Sequence, residues 1–306
     1  MPQEVLISPP LSFQSTEAGI EQLPLTHFLE MEDPSHRTLA AKHIVDENVI
    51  GLFALQYGAV FSGENEETTF RLLQQVKGVF RETPVAVWIQ DPREITETEI
   101  VDFNRIHPEL HTVFKNDSLL AYRTQGVCML RFPVKPDAQL NGLPLHPGIT
   151  SQDEVGPLLQ FFYMGLNQPH AQKLIESIYD IGVKITAITS LNIHRQPSPK
   201  SHEEALSFCK KQAIPILIAD NDSCVSRRSG SYPIITATER GAILERQGNV
   251  HPAYLEALGW NLSYPDGTEF PEIKFTPEMK RVFRIIWEEF PSLANLVIRM
   301  AAEEKE

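Results

Sequence analysis

Two polar side chains two positions apart, Ser190 and Asn192, end an apolar, β-branched run from Ile185 to Thr189 and precede the proline-rich Gln196-Pro197-Ser198-Pro199. The pattern predicts a buried strand that delivers a hydroxyl and a carboxamide to its C-terminal end. In open α/β sheets that end is where ligands bind. The same residues also suit a loop that caps itself, since Ser and Asn bond readily to nearby backbone. Other candidates are weaker. His194 and His202 flank the proline-rich segment without a carboxylate at metal-ligand spacing and read as surface or capping histidines. Asp220-Asn221-Asp222-Ser223 opens like a calcium loop but lacks its Gly and closing Glu, so a polar turn is expected. Arg227-Arg228-Ser229-Gly230 is a basic turn that could close over phosphates or lie exposed. No Walker loop, nucleophile elbow or HExxH occurs.

The elements that must position these groups sit in a chain of 306 residues, enough for one large domain with an appendage or for two. A formal charge of -13 weighs against broad binding to nucleic acid or anionic membrane, though not against a local basic pocket. The cysteines, Cys128, Cys209 and Cys224, form no CxxC pair, which argues against a zinc site or a disulfide framework. Neither a secretory leader nor a membrane-length apolar stretch is evident, so the expected location is the cytoplasm.

Residues 1–33, rich in Pro, Glu and Ser, read as a surface arm. A helix opens at Asp33-Pro34-Ser35, a strand covers Val49 to Leu55 with Tyr57-Gly58 at its end, and an amphipathic helix carries Phe70, Leu73, Val76 and Lys77. Strands are expected at Val85–Ile89, Leu119–Tyr122, Val127–Phe132, Ile214–Ala219, Tyr232–Thr236 and Ala242–Leu244. Helices are expected at about 155–164 and 169–181, and at Ser201–Lys211 with a Ser201/Glu204 capping box. After Val250 the helices Pro252–Leu258, Pro277–Phe290 and Leu293–Ala302 suggest an extension that packs on the main domain. Strands alternating with helices argue for an α/β fold with a twisted sheet.

In their order the landmarks resemble the YrdC-like family, the threonylcarbamoyl-AMP synthases and their relatives. The matching stretches are Leu52 to Gly58, Lys77-Gly78-Val79, Arg131-Phe132-Pro133, Ser190-Leu191-Asn192, Ser231 to Ile235 and Arg246-Gln247-Gly248, spread over about 35–250. The resemblance implies a twisted open mixed sheet with flanking helices over 34–250, preceded by the arm 1–33 and followed by a helical extension, 251–306. It implies ATP or AMP as ligand, with magnesium on the nucleotide's phosphates. Lys77 and Arg131 would be the catalytic cations, and Ser190, Asn192, Ser231 and Arg246 would hold the nucleotide. The implied reaction is carbamoylation of an amino compound with bicarbonate, then adenylyl transfer from ATP with release of pyrophosphate. Outside that context Lys77 would read as a solvated helix lysine, and Arg246 as the partner of neighbouring Glu245 in a surface ion pair.

The departures bear on substrate. Phe53, Ala54 and Leu55 stand where the family has threonines and an acidic residue, and apolar side chains cannot hydrogen-bond an amino acid's hydroxyl, amine or carboxylate. Val79 replaces the second basic residue of the helix motif, with Arg81 as a substitute further round. The resemblance therefore keeps the nucleotide side and loses the threonine side. Two alternatives stand beside an enzyme with altered acceptor: a non-catalytic protein that binds RNA, or a protein partner through its C-terminal helices, and a scaffold whose cleft is filled by Phe53 and Leu55.

Overall fold

The computed structural model describes residues 26–47, 49–53, 57–62, 66–78, 85–124, 126–165, 168–194, 196–199, 201–220, 232–246, 248, 250 and 252–264. Most of the arm 1–33, Ala54, Leu55, Val79, Arg81, Asn221 to Ser223, Arg227 to Gly230, Ser231 and the helices expected after Pro277 lie outside the described residues.

In chain order the elements are β1 (His27–Glu30), α1 (Pro34–Glu47), β2 (Val49–Phe53), β3 (Tyr57–Ser62), α2 (Glu66–Lys77), β4 (Ala86–Trp88), α3 (Arg93–Thr96), α4 (Pro108–Phe114), α5 (Asp117–Thr124) and β5 (Met129–Pro133). They continue with β6 (Gln139–Leu140), β7 (Leu143–Pro144), β8 (Thr150–Gln152), β9 (Pro157–Phe162), α6 (Pro169–Asp180), β10 (Thr186–Ser190), α7 (His202–Lys211), β11 (Ile216–Ala219), β12 (Ile234–Thr238), β13 (Gly241–Arg246), α8 (Pro252–Ala257) and β14 (Leu262–Ser263).

Among the described residues twelve strands form one mixed sheet in the order β1-β11-β2-β3-β10-β4-β9-β5-β12-β13-β14, with β8 beside β9. Both faces are covered by apolar side chains, as expected of strands that read as continuous apolar runs. On one face Ala187, Val87, Phe161, Leu130 and Ile235 pack with Leu73 and Val76 of α2 and Cys209 of α7. On the other, Ile188, Trp88, Phe162, Met129 and Ile234 pack with Ile44 of α1 and Leu174, Ile175 and Ile178 of α6. Burial of these side chains supplies the main driving force, of order 1.5–3 kcal/mol for each large one.

Several sequence expectations change. Residues 157–162, expected in a helix, are β9, because a short run apolar on both sides fits a strand between two layers as well as a buried helix. Leu119–Tyr122, expected as a strand, lies in α5, whose start is capped by Asn116 Oδ1 accepting from Leu119 N at 2.9 Å. Tyr57-Gly58 does not close β2; it begins β3, the antiparallel neighbour pairing Leu52 with Gly58. The tail of the supposed arm is β1, paired parallel with β11. The capping box of α7 forms, with Ser201 Oγ accepting from Glu204 N at 3.2 Å. Beyond 250, Leu255, Leu258 and Trp260 enter the main core, and β14 adds parallel to β13.

Candidate functional site

Lys77 is the last residue of α2, where a positive charge suits the helix dipole, and Gly78 follows at φ +66°, the left-handed position that ends many helices. Its side chain is 2% exposed. The ammonium donates to Ser190 Oγ at 2.9 Å, Asn192 Oδ1 at 3.0 Å, Asn192 O at 3.2 Å and, closer still, Ser190 O. An ammonium has three protons, so these four oxygens share them. The loop after β10 is tied to the same helix end twice more. His194 N donates to Lys77 O at 3.1 Å, and a Cβ on Gly78 would come within 3.0 Å of Ile193 Cδ1. Asn192 Nδ2 donates to Gln196 O, which closes the turn on itself.

Lys77, Ser190 and Asn192 are thus brought together, and Lys77 is not a solvated helix lysine. It is a clasp between α2 and the strand end. Because Ser190 Oγ accepts from a cation, its own O–H is polarised as a donor, the property an anion site needs.

Arg131 and Arg246 lie elsewhere. Arg131 is on β5, three strands from β10, about 14 Å at ordinary strand spacing. Its Nη1 donates to Glu245 Oε2 at 2.6 Å and its Nη2 to Gln160 Oε1 at 2.8 Å. Arg246 donates from Nε at 3.0 Å and from Nη2 at 2.7 Å to Tyr232 O. The carboxylate of Glu245, expected to pair with adjacent Arg246, instead pairs with Arg131.

A β-bulge explains this. The register shifts so that Ile235 opposes Leu244 while Ile234 opposes Arg246, leaving Glu245 as the extra residue. Opposed residues share a face, so Arg246 comes to the side of Ile234 instead of falling on the side of Leu244. Arg131 alternates with Leu130 and Phe132 of the other core and lies on that side too. Its cross-strand neighbour there is Thr236, 4% exposed, whose Oγ1 has no hydrogen-bond partner; nor has the buried Arg131 Nε. Sequence reasoning missed Thr236 and Gln160, and gave Glu245 to the wrong arginine. Strand alternation around Arg131 was the available signal for Gln160 and Thr236, whereas nothing local announces the bulge.

Where the family has polar residues, Phe53 is 2% exposed and meets the His202 ring edge-on, centroids 5.1 Å apart. Phe28 flanks the same imidazole at 5.5 Å. Burial holds the His202 pKa below its ordinary value. Asp220 is buried, and its N–H donates to Phe53 O at 2.9 Å, extending the β11/β2 pairing. Among the described residues no group of three or more His, Cys, Asp or Glu could hold a metal ion, and no helix is long and apolar enough to cross a membrane.

No family model and no curated protein matches the chain. Solved structures do. A variant of P. abyssi Sua5 superposes with a TM-score of 0.54 at 18% identity, over 79% of this chain and 66% of that one. E. coli YciO gives 0.52 at 14%, over 74% of this chain and 96% of that one. Full-length HypF, in a phosphate- and nucleotide-bound form, gives 0.51 at 18%, over 71% of this chain and 24% of that one. At these identities the likeness is one of fold. The chain has the YrdC-like fold, a mixed sheet flanked by helices, and spans about two thirds of the length of the Sua5 it matches.

Proposed function

We propose that this YrdC-like fold binds a nucleotide, ATP or AMP, with phosphate oxygens at the C-terminal end of β10, and that any acceptor it activates is not threonine. The observation that carries the reading is the enclosure of the Lys77 ammonium by the oxygens of Ser190 and Asn192. It fixes the strand end before any ligand arrives and leaves a polarised Ser190 hydroxyl to donate, which lowers the ordering cost of binding. HypF, about a quarter of whose chain matches this fold, is known in a nucleotide-bound form, which supports that choice of ligand. Arg131 and Arg246, about 14 Å away and on the sheet face opposite α2, lie beyond the reach of phosphates held at that strand end. In adenylyl transfer a carbamate or carboxylate oxygen attacks the α-phosphorus and pyrophosphate leaves. The protein's share is positioning and charge neutralisation. Magnesium would come on the phosphates.

Calorimetry with ATP and AMP on the wild-type chain and on Ser190→Ala tests the site. Binding in the wild type that weakens about tenfold in the variant is expected, the worth of one charge-assisted hydrogen bond. No binding at millimolar nucleotide would sink the reading. Pyrophosphate release with bicarbonate and a panel of amino acids then tests catalysis, with no threonine-dependent release expected.

The packing of Phe53 against His202 favours a second reading, a protein of this fold that performs no transfer and presents the same surface to RNA or a protein partner. Nucleotide binding without pyrophosphate release from ATP in the presence of any amine would favour it. Salt-sensitive RNA binding would identify the partner as nucleic acid.

A further inference from the structure

The chain contains a single Asn-Gly pair, Asn141-Gly142, and it forms the two-residue turn between β6 and β7. Both residues have positive φ, +51° and +77°, the left-handed pairing that suits a tight hairpin. Asn-Gly is also the pair most open to self-modification, because a following residue without a side chain lets its backbone nitrogen approach the asparagine Cγ. Here that nitrogen is accessible: Gly142 is exposed, and a Cβ on it would meet nothing within 4 Å. The carboxamide, by contrast, is held. Asn141 Nδ2 donates to Glu94 Oε2 at 2.6 Å and to Lys184 O at 2.8 Å. Glu94 is fixed in turn, its Oε1 accepting from Gln90 N at 2.7 Å and Asp91 N at 3.0 Å, and its Oε2 from the Tyr179 hydroxyl at 3.2 Å. The burial that raises the Glu94 pKa also makes a second negative charge beside it costly.

We propose that Asn141 is a deamidation site guarded by Glu94, dormant while its carboxamide is held and unable to redock once converted. The Gly142 nitrogen attacks Asn141 Cγ, the new C–N bond closes a succinimide ring, and the side-chain nitrogen leaves as ammonia with the Gly142 proton. Water then opens the ring to an aspartyl or isoaspartyl residue. Attack requires Cγ to turn toward the Gly142 nitrogen, and the two hydrogen bonds of Nδ2 oppose that rotation. After conversion a carboxylate stands where a donor stood, against the Glu94 carboxylate and the Lys184 carbonyl. The turn is then repelled from both, so the modification becomes a one-way loosening of the β6/β7 hairpin. Lys184 leads into the start of β10, whereas Ser190 is its last residue, and the proposal does not depend on nucleotide binding there.

Full-length chain aged at mildly alkaline pH, native and in urea, provides the test, with peptide mapping of aspartyl and isoaspartyl products at position 141. Native wild type is expected to convert at least about tenfold more slowly than the chain in urea, and folded Glu94→Ala about tenfold faster than native wild type, the worth of one charge-assisted hydrogen bond. Equal rates in native and urea-unfolded chain, or a folded Glu94→Ala that converts no faster than wild type, would overturn the guard. Should Glu94→Ala lose its cooperative thermal transition, solvent exchange of the Asn141 Nδ2 protons in the wild type decides. Protection of about tenfold or more supports the guard, and free exchange refutes it. The converted chain, separated by charge, or Asn141→Asp as its stand-in, is expected to be cut by thermolysin within the β6/β7 hairpin about tenfold faster than unconverted chain, because cleavage follows the open population. Equal cutting would overturn the loosening and leave Asn141 an ageing site without consequence.

Discussion

Two cations three strands apart, Lys77 and Arg131, show how the surroundings of a charge decide its use. Lys77 is sealed at the end of α2 and spends its donors on oxygens of Ser190 and Asn192, none of them a carboxylate. Arg131 is partly open, pairs with a more exposed carboxylate and keeps one buried N–H unpaired. The first is a structural clasp that presents its neighbours to a ligand. The second is a group a ligand could touch.

The sharpest way to break this contrast is to remove each cation in turn. Lys77→Met should cost about 3 kcal/mol, because several part-buried oxygens lose their donor at once, whereas Arg131→Met should cost no more than about 1 kcal/mol, as its partly exposed ion pair is worth little. Urea midpoints would show it, and equal losses would refute the division. Next in size is Gly78→Ala, expected to cost about 1–2 kcal/mol through its left-handed φ and the approach to Ile193, with no effect on the Arg131 side.

A pH dependence should belong to the clasp side as well, since the loop from Ser190 ends at α7, where His202 packs on Phe53. Burial holds the folded pKa of His202 below the ordinary imidazole value of about 6.5, so its contribution is present above that pH and lost as pH falls through the folded value. Chemical denaturation between neutral and mildly acidic pH should show a falling stability that His202→Phe flattens and Glu245→Gln leaves alone. The smallest effect expected is that of salt on Glu245→Gln, whose stability should differ from wild type by under about 1 kcal/mol, and by less as screening increases. A large, salt-independent loss would show the Arg131 pair to be as structural as the clasp.

Much of the fold was legible. Ile185 to Thr189, the face of Leu73 and Val76, and the Ser201/Glu204 box each follow one local period or cap, and each stands in the structure. Residues 157–162 and 119–122 mislead because a short apolar run and a Leu-Leu-Ala-Tyr segment satisfy both periods. Only neighbours arbitrate there: β4 and β5 claim the first, and the Asn116 cap starts the second. Of the candidate residues, Ser190 and Asn192 could be placed at a strand tip from sequence. That they answer to Lys77, 113 and 115 positions away, could not.

By itself the sequence determined that a buried strand ends in a hydroxyl and a carboxamide, that a lysine ends an amphipathic helix, and that apolar residues stand at Phe53 to Leu55. Those are properties of neighbours along the chain, fixed by period, capping and side-chain chemistry. Which cation is sealed and which stays open was decided by tertiary structure alone, since burial and the bulge that carries Glu245 to Arg131 arise where strands distant in sequence meet.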